Sequence, residues 1–566
     1  MKRMRMLAII AGMLVLRFAC NLAAPAVHPT IAINFKPAPT PSGNVALTST
    51  RQVTSLALAP DGVLWVGTSG GVLRRDQDGT WHKFTRLAGL PAHEVRGFRF
   101  SADGSVEAVC PRNVAVWQAG QWQVQALSDG TQPEAVQAIS TADGQGLVQK
   151  AAMTRGAVEE SKPPLLPTVT WRGALLTADL TGLHIQEHGT VQHVALPPSQ
   201  GTHISALLPQ GNALWAALFG DGLWSFDGHQ WQPLKLELPP QAREITALAG
   251  DAKSLWLGTR RDGVWQYQKK QWTQYLQPDE PYDHNCQNLA TFHGALLVST
   301  LEDGLAMQTG TGWQHIGSET LSSNAPRQIV EFNGSLWVRQ GTGKVDRFDG
   351  EHWIRNALPW LPRQKAMTLA ADHQRLYVAQ WGGWSEFDGT AWKHHFDVPE
   401  LQGLPLTVLY PEGDTLWIGT QSRGIGKFNR TTGKLLWHDE RMGLPDDWIT
   451  CMARVGNALY AGTFVGGLAR CEGEHWQTYP ELQGENVTAL EPDGAAGVFI
   501  ATRTGLWHET VGKLLKVNQQ VPFLDTEVQS LKRQQNGLWV GTRTGLYYLT
   551  EATLHHADNA PQPKAE

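Results

Sequence analysis

A sequence unit of about 40 residues recurs along almost the whole chain, and this repetition constrains the fold more than any other feature. The clearest copy is Leu255–Trp272, which reads LWLGTRRDGVWQYQKKQW. It contains an apolar run with Trp256 and Gly258, an Asp262-Gly263 turn and a second apolar run. Copies of this unit begin at residues 64, 106, 147, 175, 214, 255, 296, 336, 376, 416, 459, 498 and 538.

Each repeat divides into four short strands, which are clearest between residues 243 and 276 as ITALAG, SLWLGT, GVWQYQ and QWTQYL. Gly, Asp and Asn separate these segments, as the tight turns of hairpins require. Four antiparallel strands in each of many repeats indicate the blades of a β-propeller. The second strand is apolar on both faces, and Gly258 behind it leaves room for an adjacent blade to approach closely.

Thirteen copies exceed the usual four to eight blades of one ring, so the sequence predicts an all-β chain with two tandem β-propellers. We expect a first propeller of about seven blades at 51–325 and a second of six to seven blades at 326–556. A strand near Val45–Thr48 would complete the C-terminal blade and bring the total from 13 to 14. The weakest repeat begins near Leu147 and lacks the Trp of the fourth strand.

Tryptophans recur in the fourth strands, and we interpret them as packing between blades, with carbohydrate or cofactor stacking as the alternative. They stand at positions 81, 122, 231, 272, 313, 353, 392, 437 and 476.

The N-terminus has the pattern of an export signal. Lys2, Arg3 and Arg5 precede the apolar run Met6–Leu16, and Ala24-Pro25-Ala26 follows as a cleavage site. We therefore expect a signal peptide at 1–26, a linker at 27–50, a disordered tail at 557–566 and a periplasmic or extracellular location. Lipid attachment at Cys20 is the alternative. No later segment reads as a membrane span, so the mature chain is expected to have none.

Composition narrows the classes of partner and cofactor. The formal charge of −5 provides no broad basic surface for nucleic acid, so we expect no nucleic-acid partner. Four cysteines follow Cys20, at positions 110, 286, 451 and 471, and no CxxC pair occurs among them. We therefore expect neither a zinc site nor any other metal or cofactor.

Two stretches, AGLPAHEV at 88–95 and MGLPDDWI at 442–449, place Gly-Leu-Pro ahead of a first strand. The segment DGVLWVGT at 61–68 is followed by Gly71-Val72-Leu73. These motifs resemble the two-component regulator propeller repeat, and the resemblance extends over roughly residues 50–550. In that family, paired propellers commonly form the exported sensor region of hybrid histidine kinases. The resemblance therefore implies a sensing module, here expected to stand alone without kinase or DNA-binding domains.

Candidate ligand-binding residues lie in the loops that meet at one face of a propeller. Arginines in the loops between second and third strands could bind an anionic or sugar ligand; these are Arg260, Arg261, Arg423, Arg503 and Arg543. The polar inter-blade loop at 278–286 adds Asp283 and His284, with Asp279 and Glu280 beside them. Solvated turn residues are the competing interpretation. Carboxylates at 439, 440, 446 and 447 could bind a cation.

The sequence is compatible with three functions. The leading hypothesis is a non-enzymatic, exported module that binds a small molecule, carbohydrate or protein and acts as a sensor in a two-component-type system. Its partner would be a membrane sensor kinase or cyclase. An alternative is a propeller enzyme, a lyase or hydrolase acting on a polysaccharide or small molecule, although no catalytic residue can be named. The third is an envelope assembly scaffold.

Overall fold

The computed structural model describes residues 38–101, 104–125, 166–251, 253–276, 280–281, 283–310, 312–358, 365–473, 475–494, 497–510 and 512–554. In these residues the strands form twelve four-stranded antiparallel sheets, which confirms the predicted β-propeller fold. The predicted signal peptide, Cys20, residues 27–37 of the linker, the repeat near Leu147, Asp279 and the tail at 557–566 lie outside the described residues.

Chain contacts divide the described residues into two compact units. Unit 1 contains residues 38–44, 285–543 and 547–554, and unit 2 contains residues 45–284 and 544–546.

The described sheets of unit 2 each consist of four consecutive strands joined as hairpins, and β1 is not part of these sheets. Their bounds are β1 (Val45–Leu47); β2 (Val53–Leu58), β3 (Leu64–Thr68), β4 (Gly71–Arg75) and β5 (Trp81–Phe84); β6 (Gly97–Phe100), β7 (Val106–Val109), β8 (Val114–Gln118) and β9 (Gln121–Gln125); β10 (Thr168–Trp171), β11 (Ala174–Ala178), β12 (Gly182–Glu187) and β13 (Thr190–Ala195); β14 (Ile204–Gln210), β15 (Ala213–Leu218), β16 (Gly222–Phe226) and β17 (Trp231–Pro233); and β18 (Ile245–Gly250), β19 (Leu255–Thr259), β20 (Val264–Gln268) and β21 (Gln271–Tyr275).

Unit 1 continues the same pattern. Its strands are β22 (Cys286–Phe292), β23 (Ala295–Thr300), β24 (Leu305–Thr309) and β25 (Gly312–Ile316); β26 (Pro326–Phe332), β27 (Ser335–Gln340), β28 (Val345–Phe348) and β29 (Trp353–Ile354); β30 (Thr368–Ala371), β31 (Leu376–Gln380), β32 (Gly383–Phe387) and β33 (Trp392–His395); β34 (Leu406–Glu412), β35 (Thr415–Thr420), β36 (Ile425–Asn429) and β37 (Leu435–His438); β38 (Ile449–Val455), β39 (Ala458–Thr463), β40 (Leu468–Glu472) and β41 (His475–Thr478); β42 (Val487–Asp493), β43 (Gly497–Thr502), β44 (Gly505–Thr510) and β45 (Lys513–Lys516); and β46 (Val528–Gln534), β47 (Gly537–Thr542) and β48 (Leu546–Thr550). Within unit 1, the C-terminal sheet has the strand order β48-β47-β46.

The first strands of the unit 1 sheets contact one another in series from β22 to β46, and β46 contacts β22. Unit 1 is therefore a closed ring of seven blades. Two hydrogen bonds cross the closing joint. The Gln287 side-chain amide donates to the Gln529 side-chain oxygen at 2.6 Å, and the Gln534 side-chain amide donates to the Gly294 carbonyl at 2.8 Å. This arrangement differs from the predicted boundary at 325/326. The sheet β22–β25 belongs with the later blades because its first strand packs against both β26 and β46.

A β-bulge interrupts many of the first strands immediately after their first residue, as at Ile449/Cys451 and Val487/Ala489. A bulge redirects the side chain of the extra residue. In these blades the extra residue is a threonine whose hydroxyl donates to the first strand of the next blade. Thr407 donates to the Ile449 carbonyl at 2.6 Å, and Thr488 donates to the Val528 carbonyl at 2.8 Å. Hydrogen bonds from these threonines thus join the first strands of adjacent blades.

Tryptophans fill the spaces between blades, as predicted. Trp65 of β3 is buried. Its ring centre lies 5.7 Å from that of Trp122 and 5.9 Å from that of Trp117, both in the neighbouring blade. A Cβ atom added at Gly258 would lie 2.3 Å from Val53 of the adjacent blade, which confirms the close approach expected there. Large aromatic surfaces and glycine contacts of this kind supply the main adhesion between blades.

Short 3-10 helices occupy several connections, at Arg86–Ala88, Pro240–Ala242, Pro399–Leu401, Glu440–Met442, Pro480–Leu482 and Val517–Gln519. Within the described ranges, no helix has the length and hydropathy needed to cross a membrane. The four cysteines found there are free thiols.

Candidate functional site

A continuous strip of turns runs across consecutive blades of unit 1, and we call it the turn belt. It consists of the turns before the third strands, at 381–383, 421–424, 464–467 and 503–504, and of the blade connections at 399–405, 439–448 and 482–485. Backbone hydrogen bonds join the turns to the blade connections in order along the belt. Gly382 donates to the Leu404 carbonyl at 2.8 Å, and Gln421 donates to the Pro405 carbonyl at 3.2 Å.

The belt continues through the next two connections. Gly424 donates to the Asp447 carbonyl at 2.9 Å, and Gly467 donates to the Glu485 carbonyl at 3.1 Å. The Thr504 hydroxyl then binds the Glu485 carboxylate. Every turn of the belt is therefore fixed to the connection beside it, which makes the strip a preorganised surface.

Arg423, one of the predicted ligand residues, lies in the second turn of this belt. The Thr420 hydroxyl accepts the Arg423 backbone N–H at 2.9 Å and donates to the Gly424 carbonyl at 3.0 Å, which fixes the turn. The guanidinium lies 4.5 Å from the centre of the Trp437 ring and donates to the Glu400 carbonyl at 3.1 Å. Its side chain is exposed, so Arg423 presents a positioned positive charge at the surface.

Two further predicted arginines stand in the equivalent turns of the following blades. Arg503 is exposed beside Thr504 at the end of the belt. Arg543 is exposed in the turn before β48 and forms an ion pair with Glu527 at 3.2 Å. Such solvated pairs are weak, so Arg543 remains available for exchange with an anionic partner.

The third turn carries apolar side chains where most repeats have polar ones. Phe464 stacks on Trp448 with the ring centres 4.1 Å apart and the planes 14° from parallel. Val465 is 56% exposed next to them. Asp446 holds this group in place, because its carboxylate accepts the backbone N–H of Trp448 and that of Val465, both at 3.0 Å.

The first turn of the belt presents Trp381, which is 53% exposed. Its backbone forms an isolated β-bridge with Pro405, and positive φ at Gly382 completes the turn. An indole exposed at a fixed turn is a typical anchor of protein interfaces.

In the acidic connection at 439–447, the pKa values of two carboxyl groups are shifted in opposite directions. The Arg441 guanidinium bonds to Asp439 and lowers the pKa of that carboxyl group. Burial, and then the negative charges of Asp439 and Asp446, raise the pKa of Asp447. Within the described residues, no group of three His, Cys, Asp or Glu side chains could hold a metal ion.

The remaining predicted residues belong to unit 2. Arg260 and Arg261 are exposed in the turn between β19 and β20. Asp283 and His284 adjoin each other, with Oδ1 and Nδ1 3.6 Å apart, and their side chains are mostly buried. Glu280, from the same loop, is buried and structural rather than exposed: it forms an ion pair with Lys83 at 2.7 Å.

Sequence reasoning missed the apolar members of the turn belt. The signal was present in the sequence. QWGGW at 380–384 and TFVGG at 463–467 place Trp and Phe-Val where other repeats have polar turn residues, as in TRRDG at 259–263 and TQSRG at 420–424. Apolar residues at a turn cannot serve the blade core, so such deviations from the repeat point to a surface role.

Comparison with known proteins identifies the repeat and the fold. Residues 47–70 match a family model described as Two component regulator propeller. No curated protein matches the sequence.

Solved structures share the architecture. PorZ of Porphyromonas gingivalis, described as an essential bacterial surface component of the type-IX secretion system, is 14% identical, with a TM-score of 0.63 over 90% of this chain and 87% of its own. The extracellular domain of a candidate hybrid two-component system of B. thetaiotaomicron is 16% identical, with a TM-score of 0.43 over 90% of this chain and 71% of its own. At 14% identity, the likeness to PorZ concerns the fold alone. The chain is a β-propeller protein in which residues 47–70 match the two-component regulator propeller repeat.

Proposed function

We propose that this chain is an exported, non-enzymatic binding module that serves as a sensor or interaction component of a two-component-type signalling system. Its partner docks on the turn belt of unit 1, and a membrane sensor kinase or cyclase is the expected class of partner. The observation that carries the proposal is the exposed Trp381 on a fixed turn, in one strip with Val465 and Arg423.

The composition of the belt supports a protein partner. Interface cores are enriched in Trp, Phe and Arg, and a few such residues supply most of the binding energy. Trp381 and the stacked Trp448 and Phe464 provide apolar anchors, while Arg423 and Arg503 add positive charge beside them. A partner with apolar side chains next to carboxylates would complement this surface.

The repeat itself supports the signalling context. The match at residues 47–70 is to a repeat named for two-component regulators.

Site-specific photo-crosslinking in the producing cell tests the proposal. A photoreactive amino acid at position 381 should form an adduct with one membrane sensor protein. The matched control is position 351, whose glutamate side chain is 83% exposed in the turn after β28, whereas the belt turns precede third strands. Equal labelling from both positions, or no adduct from position 381, would refute docking on the belt.

A genetic readout separates the signalling role from binding alone. Trp381→Ala should abolish the transcriptional response of the system while the secreted protein remains folded and abundant. If the adduct forms but the response is unchanged by Trp381→Ala, the chain binds a partner without signalling through this surface.

A further inference from the structure

A cleft lies between the blades β38–β41 and β42–β45 of unit 1. Its volume is about 750 Å³, within the range of small-molecule sites. The rim includes Asn457, in the turn between β38 and β39, and Gly512, in the turn between β44 and β45. These turns lie at the other ends of the strands from the belt turns. The cleft therefore extends from the strand ends opposite the belt turns to Glu481, which directly precedes the belt connection at 482–485.

The inner wall of the cleft holds a buried carboxylate. Glu509 is 2% exposed, and its Oε2 atom accepts the Tyr460 hydroxyl at 2.8 Å. Its Oε1 atom accepts the Gly512 backbone N–H at 2.9 Å. Both donors are neutral, and Arg470, which also lines the cleft, forms its ion pair with Glu472 at 2.8 Å. A buried carboxylate that is surrounded by neutral donors gains from an added positive charge.

The remaining lining favours a cation. Arg470 is already engaged, since its Nε atom donates to the Tyr460 hydroxyl at 3.1 Å. Glu472 and Glu481 add two carboxylates to that of Glu509, so three negative charges face one guanidinium. An anionic ligand would therefore be repelled from this cleft.

Two tyrosines complete the cleft as aromatic walls. Burial and the bond to the Glu509 carboxylate raise the pKa of Tyr460 to about 12. Burial, and then the charge of Glu509, also raise the pKa of Tyr479. Both phenols therefore stay neutral at physiological pH, and their ring faces attract cations.

From the cavity, its buried carboxylate and its aromatic walls, we propose that this cleft binds a small organic ammonium ion, with the ammonium group placed against Glu509 between the tyrosines. This activity goes beyond the proposed docking function and does not depend on it.

Calorimetric titration of the whole chain tests the proposal with 1,5-diaminopentane as the probe and 1,5-pentanediol as its neutral analogue. The diamine should bind and the diol should not. Glu509→Gln should weaken diamine binding at least tenfold, because it removes the charge and nearly preserves the shape. Glu481→Gln, at the exposed rim, should weaken it a few-fold, and Glu351→Gln, on another blade, should leave it unchanged.

Glu509→Gln changes a buried residue and could fail to fold. Glu481→Gln and Tyr479→Ala change exposed or partly exposed lining residues, so these two variants still test the site in that case. Loss of affinity in these two variants supports the site. Equal binding of diol and diamine, no binding of the diamine to the unaltered chain, or unchanged affinity in every folded lining variant would overturn it. Crosslinking from position 381 is unaffected by any of these outcomes.

Discussion

The buried carboxylate of Glu280 joins the end of the last unit 2 blade to the start of its first blade, and Glu280→Gln should weaken this closure. The carboxylate accepts the Thr50 backbone N–H at 2.6 Å and the Thr50 hydroxyl at 2.8 Å. Lys83 forms an ion pair with it at 2.7 Å and also donates to the Thr48 carbonyl at 2.5 Å. The segment that the sequence predicts to be linker thus ends in buried, bonded residues.

The magnitude follows from the burial of this ion pair. Breaking a buried pair from one side costs about 3–5 kcal/mol, because it leaves the other charge without its partner. The Lys83 side chain is 22% exposed and keeps its bond to Thr48, so we expect about 3 kcal/mol of the free energy of unfolding to be lost in Glu280→Gln. For a unit of this size, that loss lowers Tm by about 6–12 °C.

Differential scanning calorimetry of the full chain is the assay, with Glu94→Gln as the matched control. Glu94 pairs with Arg96 at 2.8 Å in the same unit but is 43% exposed. A solvated pair of this kind contributes at most about 1 kcal/mol. Comparable shifts in the two variants, or no shift in Glu280→Gln, would show that the carboxylate does not close the blades of unit 2.

Two further predictions concern unit 2. Burial, and then the charge of Arg86, lower the pKa of His93 to about 3, below its ordinary value of 6.5. As pH falls, the His93 imidazole of the unfolded chain is protonated before that of the folded chain, so the stability of the fold is lost progressively from pH 6.5 toward pH 3. His93→Gln should therefore flatten the decline of Tm between pH 7 and 4. An unchanged slope of Tm against pH would contradict this. Gly258→Ala should cost about 1–3 kcal/mol by overpacking against Val53, whereas Gly97→Ala, with open space around it, should cost much less in denaturant titrations. Equal losses in the two glycine variants would refute the close approach of these blades.

The repeating part of the fold could be predicted because each blade uses the same few physical devices. Alternating apolar strands, Asp-Gly turns and Trp residues carry a strong local signal. The close contact between blades at Gly258 could also be predicted, because a glycine after an apolar strand indicates that an adjacent blade approaches its backbone closely.

The division into units and the turn belt were harder to predict, for different physical reasons. Neighbouring blades look alike in sequence, so nothing local shows which ring contains the sheet β22–β25. That assignment depends on the packing of β22 against β46, far along the chain. The turn belt depends on which turns adjoin which connections, as between Gly424 and Asp447. A search for arginines in the turns identifies Arg423 as a candidate binding residue, but it does not identify Trp381.

The most direct test of the account is the affinity between this chain and the protein captured from position 381. A central interface Trp contributes at least about 2 kcal/mol, which corresponds to a roughly 30-fold change in Kd. Trp381→Ala should therefore raise Kd at least that far and leave Tm unchanged, while Glu351→Ala alters neither quantity. A Kd for Trp381→Ala equal to that of the unaltered chain would contradict the assignment of the turn belt as the binding surface.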